Sequence, residues 1–374
     1  MKKSLYMTTA LAAAGVLAFG ATDAMAAEKA KKMQIKVSGS MKSLIGFASN
    51  SGSYETTASN TSRTHYDAFN IVNDSEVHFK GTTKLDNGIS VSVVIQLETD
   101  QKNNGTQVDE TYVKLTGGFG DIRIGSQKAA TFTLKHAAPL GGAIALGNPD
   151  TNNWIIKPSA VANAIKQNST HIGGGDNMKL LYITPKFSGF RVGASYEPSS
   201  ANADTMPAVG GTAGTEAQSF DAIVSYENKL GSVNVKADVA YFEKHGNAAT
   251  STTNWRGGVL LGFGAITVGG SYKETKDADT SQSANAAEVF DAGVSYKSGP
   301  FGVGVQYFNA TTPQTAAVSG DDEVTKIALG GSYTMGPGVS LVGTVVHVDW
   351  DDETTADSSN NSGWAAIGGI KVSF

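Results

Sequence analysis

Segments with apolar residues at every second position recur along this chain, and the connections between them are by turns short and long. A period of two is what a strand shows when one face is apolar and the other polar. Ile89, Val91, Val93, Ile95 and Leu97 form one stripe against Ser90, Ser92, Val94, Gln96 and Glu98, after the turn Asp86-Asn87-Gly88. Val233, Val235, Ala237, Val239 and Tyr241 form another against Asn234, Lys236, Asp238 and Ala240, after Asn228-Lys229-Leu230-Gly231. Asn and Gly close such hairpins because they tolerate positive φ. The short connections are 85–88, 117–120, 185–189, 228–231, 263–264, 297–300 and 335–338. The long polar ones are 48–66, 99–108, 128–177, 197–217, 243–253, 273–287, 309–322 and 349–362. Seven turns and eight loops join sixteen strands, an even count that leaves both chain ends on the short-turn side.

The two ends say where such strands would sit. Trp364, Ala366, Gly368, Ile370, Val372 and the terminal Phe374 share one face, with Ala365, Ile367, Gly369, Lys371 and Ser373 on the other, as expected of a lipid-facing last strand in a transmembrane antiparallel β-barrel. At the start, Met1-Lys2-Lys3 is a basic head, residues 5–20 an apolar run, and Ala24-Met25-Ala26 a small-x-small cleavage site, so residues 1–26 read as a signal peptide with Ala27 as the mature start. Export with no cysteine leaves a closed hydrogen-bonded barrel to supply the stability that disulfides would otherwise give. Beyond the signal, the longest nearly uncharged apolar stretch is 259–270, well short of the roughly 20 residues a spanning helix needs. The mean hydropathy is slightly polar, −0.15, as suits a barrel whose alternate residues face lipid. Taking Lys2, Lys3 and Asp23 from 29 basic and 34 acidic residues leaves 27 and 33, a balance of −6 that argues against a nucleic-acid partner.

A hairpin unit repeats in part: Phe220-Asp221-Ala222-Ile223-Val224-Ser225-Tyr226 recurs as Phe290-Asp291-Ala292-Gly293-Val294-Ser295-Tyr296. Tyr182, Tyr226, Tyr296 and Tyr333 fall where strands run into short turns, and Tyr196, Tyr241, Tyr272 and Tyr307 where they run into long loops, with Trp255, Trp350 and Trp364. Rings with one polar tip settle at the hydrocarbon–water boundary, so two rows predict two girdles. A soluble sandwich would leave the exported head, the terminal Phe374 and the two-ended girdle without a common cause.

These residues resemble a known family. The stretches 75–98, 112–125 with its Gly117-Gly118-Phe119-Gly120 hairpin, and 182–196 with Ser188-Gly189-Phe190, together with Phe374, are similar to the general porins of Gram-negative outer membranes, over essentially the whole mature chain. The resemblance implies a homotrimeric sixteen-stranded barrel in the outer membrane, in contact with its lipid and lipopolysaccharide. It also implies recognition of Phe374 by the barrel-assembly machinery, diffusion of small hydrophilic solutes, and a third long loop folded into the lumen as its constriction.

A lumen of this strand number stays water-filled, so inward charges set the field a solute meets. On the first five strands the polar face carries Lys36, Lys42, Glu76, His78, Lys80, Glu98, Lys114 and Arg123, where basic residues outnumber acidic ones. The connection 128–177 is the candidate constriction loop, because a stretch of that length is usually functional. Its segment 159–166 is alanine-rich and suits a short helix. The family's acidic Pro-Glu-Phe-Gly-Gly segment has only Pro139-Leu140-Gly141-Gly142 as a counterpart here, without the carboxylate. The loop holds Lys128, Lys135, Lys157 and Lys166 against Asp150 and Asp176, which predicts weak selectivity tilted toward anions.

Other constellations carry less. Asp321-Asp322-Glu323 and Asp349 with Asp351-Asp352-Glu353 are acidic loop clusters that suit divalent cations or simple solvation, and they lack the calcium-loop spacing. His65, His78, His136, His171, His245 and His347 are scattered singly, so no metal or other cofactor is expected. Gly269-Gly270-Ser271 and Gly330-Gly331-Ser332 are not nucleophile elbows but small residues on crowded strands, and no catalytic residue is assigned. A passive pore is the leading reading. A substrate-specific channel for a sugar or anion is the alternative, although Tyr112 and Phe242 alone make no aromatic ladder; an adhesin is a more distant one.

Overall fold

The structure, a computed structural model, describes residues 32–57, 65–100, 108–147, 149–162, 165, 170, 172–199, 217–246, 251–277, 286–313 and 320–374. The proposed signal peptide, Lys166 and His171 lie outside them. Sixteen strands follow one another: β1 Gln34–Ser49, β2 Phe69–Lys84, β3 Ser90–Glu98, β4 Val108–Gly117, β5 Gly120–Ser126, β6 Met178–Ile183, β7 Phe190–Glu197, β8 Ala217–Leu230, β9 Val233–Gly246, β10 Ser251–Phe263, β11 Ile266–Asp277, β12 Ala287–Ser298, β13 Phe301–Pro313, β14 Asp321–Gly336, β15 Val339–Asp351 and β16 Asn361–Ser373. Among the described residues, the short helices α1 Gly52–Thr57 and α2 Ala130–Leu134 and a 3-10 turn at Pro149–Asn153 sit in the first and third long connections. Among the described residues no helix is long and apolar enough to cross a membrane.

Each strand pairs with its sequence neighbour, antiparallel throughout, and β1 closes on β16, so the sheet has no free edge. At the seam, Gly39 N–H donates to the Phe374 carbonyl at 2.9 Å and Phe374 N–H donates to the Gly39 carbonyl at 3.0 Å. The Phe374 ring lies over Gly39, where an added Cβ would stand 2.7 Å from Cζ. The tight turns use the positive φ that glycine allows, 81° at Gly88 and 61° at Gly231. Strands β3 to β7 run for only 6 to 10 residues, against 12 to 16 elsewhere, so the wall is low where the third loop departs.

The exposed apolar residues keep the expected phase: Ile35, Val37, Met41, Ile45 and Phe47 face out on β1, and Phe301, Val303, Val305 and Tyr307 on β13. All eight predicted tyrosines lie on this outward register, with Phe190 and Tyr226 rings 4.7 Å apart and Phe301 and Tyr333 rings 4.9 Å apart. Trp350 is a correction. Its phase on β15, opposite to exposed Leu341 and Val345, points it inward, fully buried, and only Trp255 and Trp364 of the predicted tryptophans join the outer surface.

Candidate pore and its lining

Backbone that belongs to no ladder must find its hydrogen-bond partners elsewhere. Segment 128–177 finds them on the inner wall, strand after strand. Wall carboxylates accept its N–H groups: Glu110 from Lys128 at 3.0 Å, Asp221 from Thr131 at 3.0 Å, Asp238 from His136 at 2.6 Å, Asp291 from Ala138 at 3.0 Å and Asp322 from Ala162 at 2.5 Å. Thr344 on β15 accepts from Ala143, and Asn50 beyond β1 from Ile156. Cations and amides take the carbonyls: Arg256 donates to His136 O, Lys326 to Leu146 O, Asn70 to Asn153 O and Asn361 to Ile156 O. The segment thereby touches the inner face from β7 round through β16 to β2. Lys179, on β6, donates to Gln127 O at 2.7 Å, Gly175 O at 2.5 Å and Asn177 O at 2.9 Å, joining both feet of the loop.

Apolar contact supplies the rest of the attachment. Ile144, Leu146, Trp154, Ile155, Val161 and Ile165 pack on inward Leu44, Phe308, Val324, Val346, Val348 and Trp350 in one buried cluster. Gly141 and Gly142 lie directly on Gly304 and Gly330 of the wall, with no room for a Cβ at Gly141, Gly142 or Gly330 and only tight room at Gly304. That contact accounts for the loop's Gly-Gly pair and for the glycines of β13 and β14. Sequence reading did not foresee the greasy inner wall, yet the signal was present: residues 339–350 are apolar on both faces, as strands buried on both sides are.

The eight predicted wall residues all take the inward register, but not as a basic surplus. Lys42 lies 2.8 Å from Asp74 and 3.6 Å from loop Asp150; Lys114 is 2.9 Å and Arg123 4.0 Å from Asp121; His78 is 2.7 Å from Glu76. Counting Lys84 with the predicted cations, six basic residues on β1 to β5 meet six acidic ones, because Asp74, Asp109, Glu110 and Asp121 also reach the lumen side. Asp109 was missed because the irregular pairing of β4 with β3 between Ile95 and Leu97 breaks the simple alternation there. The surplus lies instead near the short-turn ends of the strands. There Lys36, Lys80, Lys84, Lys114, Arg123, Arg191, Lys229, Lys236, Lys297 and Lys371 share the inward register with Asp121 and Glu227, forming a basic collar.

The loop charges are largely engaged. Lys128 sits 3.6 Å from Asp109 and 3.9 Å from Glu110, and Lys157 donates to Pro158 O and Val161 O. Lys135 stands 3.6 Å over the Phe132 ring, and burial, then the Arg256 and Lys128 charges, push its ammonium down to about 7. Burial raises the Asp176 carboxyl against the pull of Lys128. Of the expected helix over 159–166, residues 159–162 are not helical, Ile165 is, and the other residues lie outside those described.

Two groups of three carboxylates bring oxygens within 4.8 Å of one another: Glu76, Glu98 and Asp109 on the wall, and Asp322, Asp352 and Glu353 at the long-loop rim. Hard cations take such ligands. In the second group Ala162 N–H and the Thr354 hydroxyl already donate to Asp322 and Asp352. Tyr112 faces the lumen with Arg123 5.7 Å from its ring, while Phe242 is buried under the loop, so these two do not stack into a ladder.

Solved barrels share this architecture. A porin refined at 1.8 Å resolution aligns with TM-score 0.61 and 19% identity over 91% of this chain and 100% of its own. The anion-selective porin from Comamonas acidovorans aligns with 0.61 and 18% over 92% and 100%. OmpT of Vibrio cholerae in its trimer form aligns with 0.59 and 10% over 92% and 100%. At these identities the likeness concerns the fold. No curated protein sequence matches the chain. The sequence profile of the Gram-negative porins, however, matches residues 8–353. With a closed sixteen-strand barrel, fifteen of whose strands lie within that stretch, and with a greasy exterior and a charged interior, the chain belongs to the Gram-negative porin family and resides in the outer membrane.

Proposed function

We propose that this porin is a passive, water-filled pore for small hydrophilic solutes, weakly selective for anions, with segment 128–177 as its constriction. The basic collar carries the proposal: a ring of inward lysines and arginines at one mouth raises the local concentration of anions and lowers that of cations. Reversal potentials across a planar bilayer in a KCl gradient test it. Anion preference is expected, and clear cation preference would overturn it. Convergent cations around Glu227 favour, as a second reading, a channel with a specific anion subsite.

The same reading makes residues 1–26 a cleaved leader, checked by N-terminal sequencing for Ala27, and makes Phe374 the mark read by the assembly machinery. The outward acidic residues Asp321, Glu323, Asp349 and Asp351 at the long-loop rim are the proposed contact with lipopolysaccharide, through shared divalent cations.

Assembly as a homotrimer has two supports besides the family. Among the described residues no outward Tyr or Trp lies on β1 to β5, while the girdle tyrosines lie on β6 to β14. The outward mid-strand residues Ser43, Asn73 and Ser75 form a polar patch on β1 and β2 that lipid would disfavour. Mass measurement of N73L in mild detergent checks this: a fall from trimer to monomer is expected, and an unchanged trimer would place the subunit contact elsewhere.

A further inference from the structure

The wall near β7 to β9 gathers cations in a way that the opposite wall does not. Arg191 Nη2 lies 3.3 Å and Lys186 Nζ 3.7 Å from Glu227 Oε2, while Lys236 Nζ lies 3.7 Å and His136 Nε2 3.8 Å from Oε1. These groups come from a turn, three strands and the inner loop. Lys186, Lys236 and Glu227 line a recess of about 360 Å³ together with Lys229, and Arg191 and His136 adjoin it through Glu227. Counting Lys186, Arg191, Lys229 and Lys236 against Glu227 gives a local balance of +3.

One carboxylate orients these side chains but cannot use all their protons. A guanidinium has five N–H donors and each ammonium three, while a carboxylate has about four acceptor sites, so donors remain turned to the recess. The side chains of Arg191, Lys186 and Lys236 are 33%, 48% and 49% exposed, more than the 25% of the Glu227 they share. A monovalent halide can meet only part of such a set. A tetrahedral oxyanion carrying two or more charges can accept from several cations at once and pair with the arginine fork. A sugar would call for an aromatic platform, and the residues lining the recess include none. Across the lumen, Lys36 and Lys80 oppose one another directly on β1 and β2, and among the described residues neither is in an ion pair, so nothing gathers them onto a ligand.

Building on the anion-tilted pore, we infer that the recess around Glu227 is a binding station for multiply charged oxyanions of the phosphate class. Inorganic pyrophosphate is the probe, added to purified protein in planar bilayers carrying chloride current. Block of that current is expected. R191Q/K236Q should raise the half-blocking concentration by about tenfold or more. K36Q/K80Q, which removes the same charge from the opposite wall, should shift it less than about twofold, as a screened and distant effect. If the first pair does not fold, judged by heat-modifiable gel mobility, K186Q in the exposed turn takes its place with a smaller shift in the same direction. Equal weakening by both pairs would mean a diffuse collar and overturn the station, as would the absence of block. Reversal potentials separate the two ideas: cation preference defeats the pore reading itself, whereas anion preference without pyrophosphate block defeats only the station.

Discussion

Replacing Lys179 by Met tests whether one ammonium holds the inner loop by both feet. The Lys179 side chain is 1% exposed and Nζ lies 3.4 Å from Glu197 Oε2, with three loop carbonyls completing its shell. Met keeps the length of the side chain and removes the donors. It leaves Glu197, 3% exposed, as a buried charge whose remaining partner among the described residues is the Asn177 amide at 3.0 Å. Breaking a buried pair in this way costs about 3–5 kcal/mol. Most of that cost should fall on the attachment of 128–177, because the ladders around β6 do not use this side chain. The barrel should therefore keep its heat-modifiable mobility while amides at 172–178 lose hydrogen-exchange protection and open-channel noise rises. Adding E197Q removes the stranded charge and should restore part of the protection, so the double variant costs less than the sum of the singles. Strict additivity, or K179M with loop protection intact, would refute the clamp.

Three further outcomes follow from other contacts. G39V drives a side chain into the Phe374 ring and the Glu76 carbonyl at the seam, costing about 1–3 kcal/mol, and should lower the yield of closed barrel on refolding as seen by gel mobility. G142L has no space against Gly330 and Thr344, so it should push the loop off the wall and change single-channel conductance while leaving the barrel's thermal stability nearly unaltered. Lys135, held at about 7 by burial and by Arg256 and Lys128 against the opposing pull of Asp238 and Asp291, carries its charge below that pH and loses it above. Anion preference measured at pH 8 should thus be weaker than at pH 6, and K135M should flatten the difference.

Much of this molecule was legible in one dimension because a barrel is a local object. Period two decides which residues face lipid, and turn chemistry at Gly88 or Gly231 decides where strands reverse. The even count and the terminal Phe374 anticipate the seam with Gly39. Tyr272 and Tyr307 sit outward because alternation alone fixes their side. Alternation failed where another surface intrudes. Trp350 looked like a girdle residue, but its phase turns it onto the inner loop. Asp109 escaped notice because the irregular pairing beside it breaks the count of two.

What only the tertiary structure decided is how charges combine across strands distant in sequence. Whether Asp221 or Asp291 serves a solute or a loop N–H depends on where segment 128–177 lies, and no local pattern records that. The first five strands seemed basic when their residues were read singly; pairing of β1 with β2 and of β4 with β5 brought Asp74 to Lys42 and Asp121 to Lys114, and left the excess at the short-turn mouth. The composition and period of the chain determine a greasy cylinder with polar contents. Which of those contents cancel, and which remain facing the water, follows from Coulomb attraction over 3–4 Å between groups that strand pairing and the inner loop bring together.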